Sequence, residues 1–107
     1  MANVRDLVNQ KIDSNKLMVF SKSTCPYCIK AKQTLSKYVG DDNAVSPDDY
    51  EVLEIDGLPN CSEIQDYLLQ ITGARSVPRV FINQKFVGGC DDVVALDKSG
   101  KLKALLQ

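Results

Sequence analysis

The sequence predicts an α/β fold, a four-stranded mixed sheet flanked by helices on both faces. Three observations predict it. Short apolar runs at residues 17–21 and 51–55 are separated by a stretch with helical spacing, the pattern of two parallel strands joined by a helix. Two further runs, Val80-Phe81-Ile82 and Lys85-Phe86-Val87, flank Asn83-Gln84 at the spacing of a two-residue hairpin. Apolar residues before, between and after these strands recur with helical period. The order is αβα, βα, ββ, α within a single domain covering residues 1–107, long enough for a hydrophobic core.

Each element has its own signal. Val4, Leu7, Val8 and Ile12 follow helical spacing, so residues 3–13 read as an amphipathic helix that Ser14-Asn15 ends. Leu17 to Ser21 is the first strand. Pro26 fits the first turn of the next helix, where its missing N–H costs nothing. Cys28, Ala31, Leu35 and Val39 mark that helix's apolar side, and Gly40 stops it. The acidic stretch from Asp41 to Tyr50 reads as a loop with no obvious role. Glu51 to Ile55 is a strand. Asn60 or Ser62 caps a third helix whose Ile64, Tyr67, Leu68 and Ile71 form one face, with Gly73 as its C′ stop. After the hairpin, Gly88-Gly89 breaks the second arm. Asp91 and Asp92 lead into a helix with Val93, Val94 and Leu96, and Lys98-Ser99-Gly100 interrupts it before a last turn with Leu102, Leu105 and Leu106.

Composition narrows the function. The chain is 44% hydrophobic and 25% charged, the balance of a soluble globular protein, and its net charge of −1 gives no reason to expect nucleic acid. No run approaches the roughly 20 apolar residues of a membrane span, and no N-terminal segment resembles a signal peptide. A cytoplasmic protein is expected, in a compartment where thiols stay reduced. The sequence has no histidine, which removes His general-base catalysis, Cys–His proteases and most zinc enzymes.

Cys25-Pro26-Tyr27-Cys28 carries the chemistry. It lies between a buried strand and a helix, so Cys25 sits among unpaired N–H groups at the positive end of a helix dipole. That environment stabilises a thiolate, the nucleophilic form of cysteine. Cys25 is the expected attacking thiol, and Cys28, one turn in, the more buried partner. Lys22, three residues earlier, lends a positive charge, against the plain alternative of a solvated strand-end lysine. A zinc site would need about four ligands. Only Cys61 and Cys90 remain, with no second C-x-x-C, so no metal is expected.

Two further segments are less specific. Ser76-Val77-Pro78 precedes a strand, and a cis peptide there would leave the Val77 backbone free to pair with something extended; a trans proline is the commoner case. Gly88-Gly89-Cys90-Asp91-Asp92 allows close backbone approach and offers helix N–H groups to an anion, with Asp91 or Asp92 for an ammonium. Taken alone, a tight turn with an N-cap aspartate is the commoner reading of such a segment.

Taken together, these three segments, in this order and spacing, make the chain resemble a dithiol glutaredoxin over nearly its whole length. Lys22-Ser23-Thr24-Cys25-Pro26-Tyr27-Cys28 is similar to that family's active-site segment, Ser76-Val77-Pro78 to its cis-proline motif, and Gly88-Gly89-Cys90-Asp91-Asp92 to its glutathione segment. The resemblance implies the thioredoxin fold and glutathione as co-substrate, with no other cofactor. It also implies that the backbone at Val77, ahead of Pro78, pairs with the cysteinyl part of glutathione. Lys22, Gln65 and Arg75 face the glycine carboxylate, Tyr27 lines the groove, and Cys90 (through its backbone) and Asp91 take the γ-glutamyl end. The expected activity is glutathione-dependent reduction of protein–glutathione mixed disulfides and protein disulfides by a monomer. Cys61 lies outside the family pattern. Two other readings stay open. A thioredoxin-type reductase would carry Gly-Pro between its cysteines after a Trp, and this chain has no Trp. An iron–sulfur carrier would share a cluster between two protomers through Cys25 and glutathione, although Pro26 and Cys28 depart from what such proteins usually carry.

Overall fold

The computed structural model describes residues 3–107. Its sheet has four strands, β1 (Leu17–Ser21), β2 (Tyr50–Glu54), β3 (Arg79–Ile82) and β4 (Lys85–Gly88), in the order β2-β1-β3-β4. β1 runs parallel to β2 and antiparallel to β3, and β3 pairs antiparallel with β4. The α-helices are α1 (Val4–Ser14), α2 (Pro26–Ser36), α3 (Cys61–Thr72), α4 (Cys90–Lys98) and α5 (Lys101–Leu106).

Because β1 has a neighbour on each edge and helices on each face, every residue of it is buried. That is why it reads as an unbroken apolar run rather than an alternating one. Its side chains still alternate. Leu17 and Val19 join Val80, Ile82, Leu35, Val93, Leu102 and Leu106 beneath α2, α4 and α5. Met18 and Phe20 join Phe81, Val8, Ile12, Ile64 and Leu68 beneath α1 and α3. Phe20 and Phe81 meet edge to face, with ring centroids 5.8 Å apart.

The hairpin turn forms where predicted. Asn83 and Gln84 both have positive φ, 50° and 70°, the backbone that matches the twist of the flanking strands. Gly73 ends α3 at φ 89° and returns its N–H to the Leu69 carbonyl. α1 begins with the Asn3 side chain accepting the Asp6 N–H at 2.8 Å.

Some expectations are corrected. α2 stops at Ser36, so Val39 is not on its apolar side; Val39 instead bridges Val45 across a turn closed by Gly40 N–H to Val45 O and Val45 N–H to Tyr38 O. The acidic stretch therefore has a structural task, since it delivers Val45, fully buried, into the core. It then makes a short 3-10 turn, Pro47–Asp49, ahead of β2, which starts one residue earlier than expected and leaves Ile55 as a buried residue just past its end. Ile71 is exposed, and on α3 the polar Gln65 is buried with Ile64 and Leu68.

Topology gathers one end of the sheet. The C-terminal end of β1 leads into Cys25, β3 begins just after Pro78, and β4 ends at the start of α4. Phe20 pairs with Arg79 and Val80 with Gly88, so the three segments singled out in the sequence meet at that end.

Candidate active site

Cys25 is the N-cap of α2, with extended backbone at φ −84° and ψ 119°, and Pro26 follows as its first residue. The turn into the helix is closed by the Cys25 N–H donating to the Lys22 carbonyl at 3.1 Å. All four cysteines are free thiols. Burial alone would push the Cys25 thiol up, but the Cys28 N–H and thiol, the Tyr27 N–H and the Lys22 charge together bring it below the ordinary cysteine value. The expected direction holds, with a different balance: helix N–H groups lead and Lys22 contributes least. Cys28 is fully buried, and burial pushes its thiol up, against a hydrogen bond from the Lys22 N–H at 3.4 Å. The two thiols are thus separated in acidity, the outer one poised as a nucleophile and the inner one held protonated.

The loop ahead of Cys25 is clamped from the far strand. Asp56, just past β2, accepts from the Ser23 N–H at 3.1 Å and the Ser23 hydroxyl at 2.5 Å. These bonds, with the nearby Lys22 charge, hold the Asp56 carboxyl below the usual range. Asp56 carries no motif signal; only the meeting of β2 with this loop reveals it.

Beside Cys25 lies a cleft of about 340 Å³ whose walls include Tyr27, Val77, Pro78, Arg79, Cys90 and Asp91. The Val77–Pro78 peptide bond is cis. The Val77 carbonyl accepts from the Cys25 thiol at 3.9 Å, linking the nucleophile to this wall. Tyr27 is 63% exposed and forms the outer lip. At the α4 end, Asp92 accepts the Gly89 N–H at 3.1 Å and is committed as a helix cap, which leaves Asp91 exposed at the rim. The Cys90 thiol is buried, and burial raises its pKa, so it is not a second nucleophile of the Cys25 kind.

Of the predicted residues, Cys25, Cys28, Tyr27, Val77, Pro78, Cys90 and Asp91 are brought together around the thiol and the cleft. Lys22 opens the Cys25 turn, its carbonyl accepting the Cys25 N–H and its charge acting on the Cys25 thiol. Gln65 and Arg75 do not line the cleft. Gln65 donates its side-chain amide to the Arg75 carbonyl at 2.9 Å, and the Arg75 guanidinium reaches Asp66 at 3.0 Å and the Ser62 hydroxyl at 3.2 Å. Cys61 points its thiol at Gln65 Oε1, 3.6 Å away. Among the described residues, no three Cys, Asp or Glu side chains converge as a metal site, so the four cysteines do not gather around one ion. A larger concavity, about 780 Å³, lies between α1 and α3 and includes none of the thiols, so volume does not mark the chemistry.

Arg79 is the cleft residue that sequence reasoning missed. Its position directly after Pro78, opening a strand, reads as an ordinary strand-start charge.

Comparison with known proteins agrees with this geometry. The family model described as Glutaredoxin matches residues 17–87. The chain is 44% identical to human Glutaredoxin-1 over 103 residues, covering 96% of this chain and 92% of the relative. Among solved structures, oxidized glutaredoxin 2 from Chlamydomonas reinhardtii superposes with a TM-score of 0.85 at 43% identity, covering 97% of this chain and 91% of that one. A buckwheat glutaredoxin–glutathione complex superposes with a TM-score of 0.84 at 37% identity, covering 96% of this chain and 86% of that one. The helix-capping dithiol, the cis-proline wall and these matches agree: the chain belongs to the glutaredoxin family, glutathione-dependent thiol–disulfide oxidoreductases with the thioredoxin fold.

Proposed function

We propose that this chain takes glutathione from glutathionylated proteins, and reduces protein disulfides, through division of labour between Cys25 and Cys28. The carrying observation is the pair of opposed thiols: Cys25 is lowered in pKa at the α2 N-terminus beside the cleft, and Cys28 is raised and buried behind it. The Cys25 thiolate attacks the glutathione sulfur of a mixed disulfide. The protein thiolate leaves with the electron pair of the broken S–S bond, and Cys25 carries the glutathione. A second glutathione thiolate attacks the carried sulfur, forming glutathione disulfide and restoring the Cys25 thiolate. On a protein disulfide, Cys25 forms a mixed disulfide with substrate. Cys28 then attacks the Cys25 sulfur and releases the substrate thiol, and two glutathiones reduce the Cys25–Cys28 disulfide. A depressed Cys25 pKa makes it both nucleophile and leaving group near neutral pH without a base, consistent with a chain that has no histidine.

In this reading the cysteinyl backbone of glutathione pairs with Val77 in the cleft, and the γ-glutamyl end lies against the Cys90 backbone and Asp91. Lys22 and Arg75 serve the glycine carboxylate, Arg75 by exchanging Asp66 for it. Gln65 faces the same carboxylate, and it also holds the Arg75 carbonyl and so sets the origin of that arginine. Residues 1–107 act as one monomeric domain in the cytoplasm, where the glutathione pool the cycle consumes is kept reduced.

The test is a pair of substitutions. Cys28→Ser should keep turnover of a small glutathione mixed disulfide, coupled to glutathione reductase, and lose dithiol reduction of a protein disulfide. Cys25→Ser should lose both. Loss of mixed-disulfide turnover in a folded Cys28→Ser protein would show that the inner thiol is obligatory, and would overturn the division of labour.

A further inference from the structure

The cleft holds a cation that nothing described so far uses. Arg79 is half-buried in its wall. Its guanidinium stacks over the Phe86 ring, 5.0 Å from the centroid, and its Nε donates to the Pro78 carbonyl at 3.1 Å. Among the described residues no carboxylate forms an ion pair with it. Burial lowers its pKa, which marks a charge partly stripped of water, and Asp92 offsets this only at a distance while capping Gly89. The guanidinium tip lies beside the N-cap of α4: a Cβ placed on Gly89 would lie 3.2 Å from Arg79 Nη2. The guanidinium therefore sits at the positive end of a helix dipole, the unfavourable end for a cation. A stacked, partly desolvated arginine in that position is balanced when an anion completes the cleft.

Resting on the glutathione reading above, we propose that Arg79 is a specificity-determining residue that binds the α-carboxylate of the γ-glutamyl group. That group carries an ammonium and a carboxylate on one carbon. Asp91 and Arg79, on the walls of one cleft, supply the opposite signs. Arg79 reads the carboxylate, Asp91 reads the ammonium, and a tripeptide lacking either charge is discriminated against. Phe86 is the supporting surface that fixes the guanidinium plane.

The test compares three cysteine mixed disulfides: that of glutathione, that of 4-aminobutanoyl-Cys-Gly, which lacks only the α-carboxylate, and that of glutaryl-Cys-Gly, which lacks only the α-ammonium. The reading is the rate at which the reduced full chain releases cysteine from each. Arg79→Gln should slow the glutathione and glutaryl substrates about tenfold, the scale of one charge-assisted contact, and leave the 4-aminobutanoyl substrate nearly unchanged. The unaltered protein should itself prefer glutathione over the 4-aminobutanoyl substrate by at least that factor, a comparison that needs no variant to fold. An equal loss on all three substrates would reduce Arg79 to a structural support, and no loss on any would remove it from the site. Failure of the unaltered protein to react with the glutathione substrate would instead sink the glutathione reading itself.

Discussion

Gly88→Ala is the substitution whose cost the structure defines most closely. Gly88 has φ +134°, a backbone region that L residues rarely occupy. Forcing alanine into it costs roughly 1–3 kcal/mol. The added methyl would also have nowhere to go, since its carbon would lie 2.5 Å from Asp92 Cβ and 2.6 Å from Asp92 Cγ. Asp92 must move, and it is the residue that accepts the Gly89 N–H and caps α4. Losing a cap of that type costs about 1 kcal/mol more. The sum is about 2–4 kcal/mol, which for a domain of this length corresponds to a fall in melting temperature on the order of 10 °C or more.

A double-mutant cycle separates the two contributions. Asp92→Ala alone should cost about 1 kcal/mol. In the Gly88→Ala/Asp92→Ala protein the contact with Cγ is gone and there is no cap left to displace, while the contact with Cβ remains, so the double variant should lose less than the sum of the two single variants. Urea unfolding of the four proteins measures this. Strict additivity would show that Asp92 is not what the methyl meets, and an unchanged midpoint for Gly88→Ala would show that the backbone there accepts a side chain. Because the start of α4 forms one end of the cleft, Gly88→Ala should also slow mixed-disulfide turnover more than it slows alkylation of Cys25, which the α2 terminus controls.

Three further outcomes follow from the same geometry. Lys22→Glu should raise the Cys25 pKa and slow its alkylation at pH 6 by less than about tenfold, because the N–H groups of Tyr27 and Cys28 remain; a larger loss would make Lys22 the main determinant. Asp56→Ala should speed hydrogen exchange of the Ser23 amide, which loses its acceptor, without changing that of Phe20 in the core; an unaltered Ser23 rate would mean that the clamp does not hold the loop. The reduced protein should gain stability as pH rises from the lowered folded pKa of Cys25 toward the unfolded value of about 8.5, since the folded state releases its proton first, and should lose that gain as pH falls again. Cys25→Ser should flatten this rise, and a rise that persists in it would belong to another group.

The segments legible in the sequence are those where local chemistry and tertiary structure ask for the same residues. The strand at 17–21, the Asn83-Gln84 turn, the stop at Gly73 and the order of the two parallel and two antiparallel strands all fall in this class. The misses share a different cause. Val39 continues a helical period on paper, but the chain turns away after Ser36 because Val45, six residues on, supplies the buried valine and hydrogen-bonds back to Tyr38. Gln65 is buried and Ile71 exposed because α3 rests on α1 and the sheet through Ile64 and Leu68, and the polar side chain finds the Arg75 carbonyl. Arg79 and Asp56 are invisible for the same reason: folding supplies what lies beside each, Phe86 and Gly89 in one case and Ser23 in the other. Motifs located the thiols and the cleft, whereas the residues that tune them had to be found by contact.

The opposed thiols also time the reaction. The raised pKa of Cys28 arises first from burial, and next from its interactions with Cys25, whose hydrogen bond and charge both favour the protonated inner thiol; the Lys22 N–H and the Ser21 hydroxyl act the other way. While Cys25 is a thiolate, Cys28 is held as a donor to it and is a poor nucleophile. Once Cys25 is tied up in a mixed disulfide, its charge and its need for that hydrogen bond vanish together. The Lys22 N–H at 3.4 Å and Ser21 then remain to favour the Cys28 thiolate. The inner thiol is activated by the event it has to resolve. A Cys25→Ala protein mimics the loss of charge without adding a substituent, so the pKa of Cys28 should be lower in it than in the unaltered protein, as read by alkylation against pH in denaturant-free buffer. A Cys28 pKa that stays the same or rises in Cys25→Ala would place its control in burial alone, and the timing would then have to come from substrate geometry.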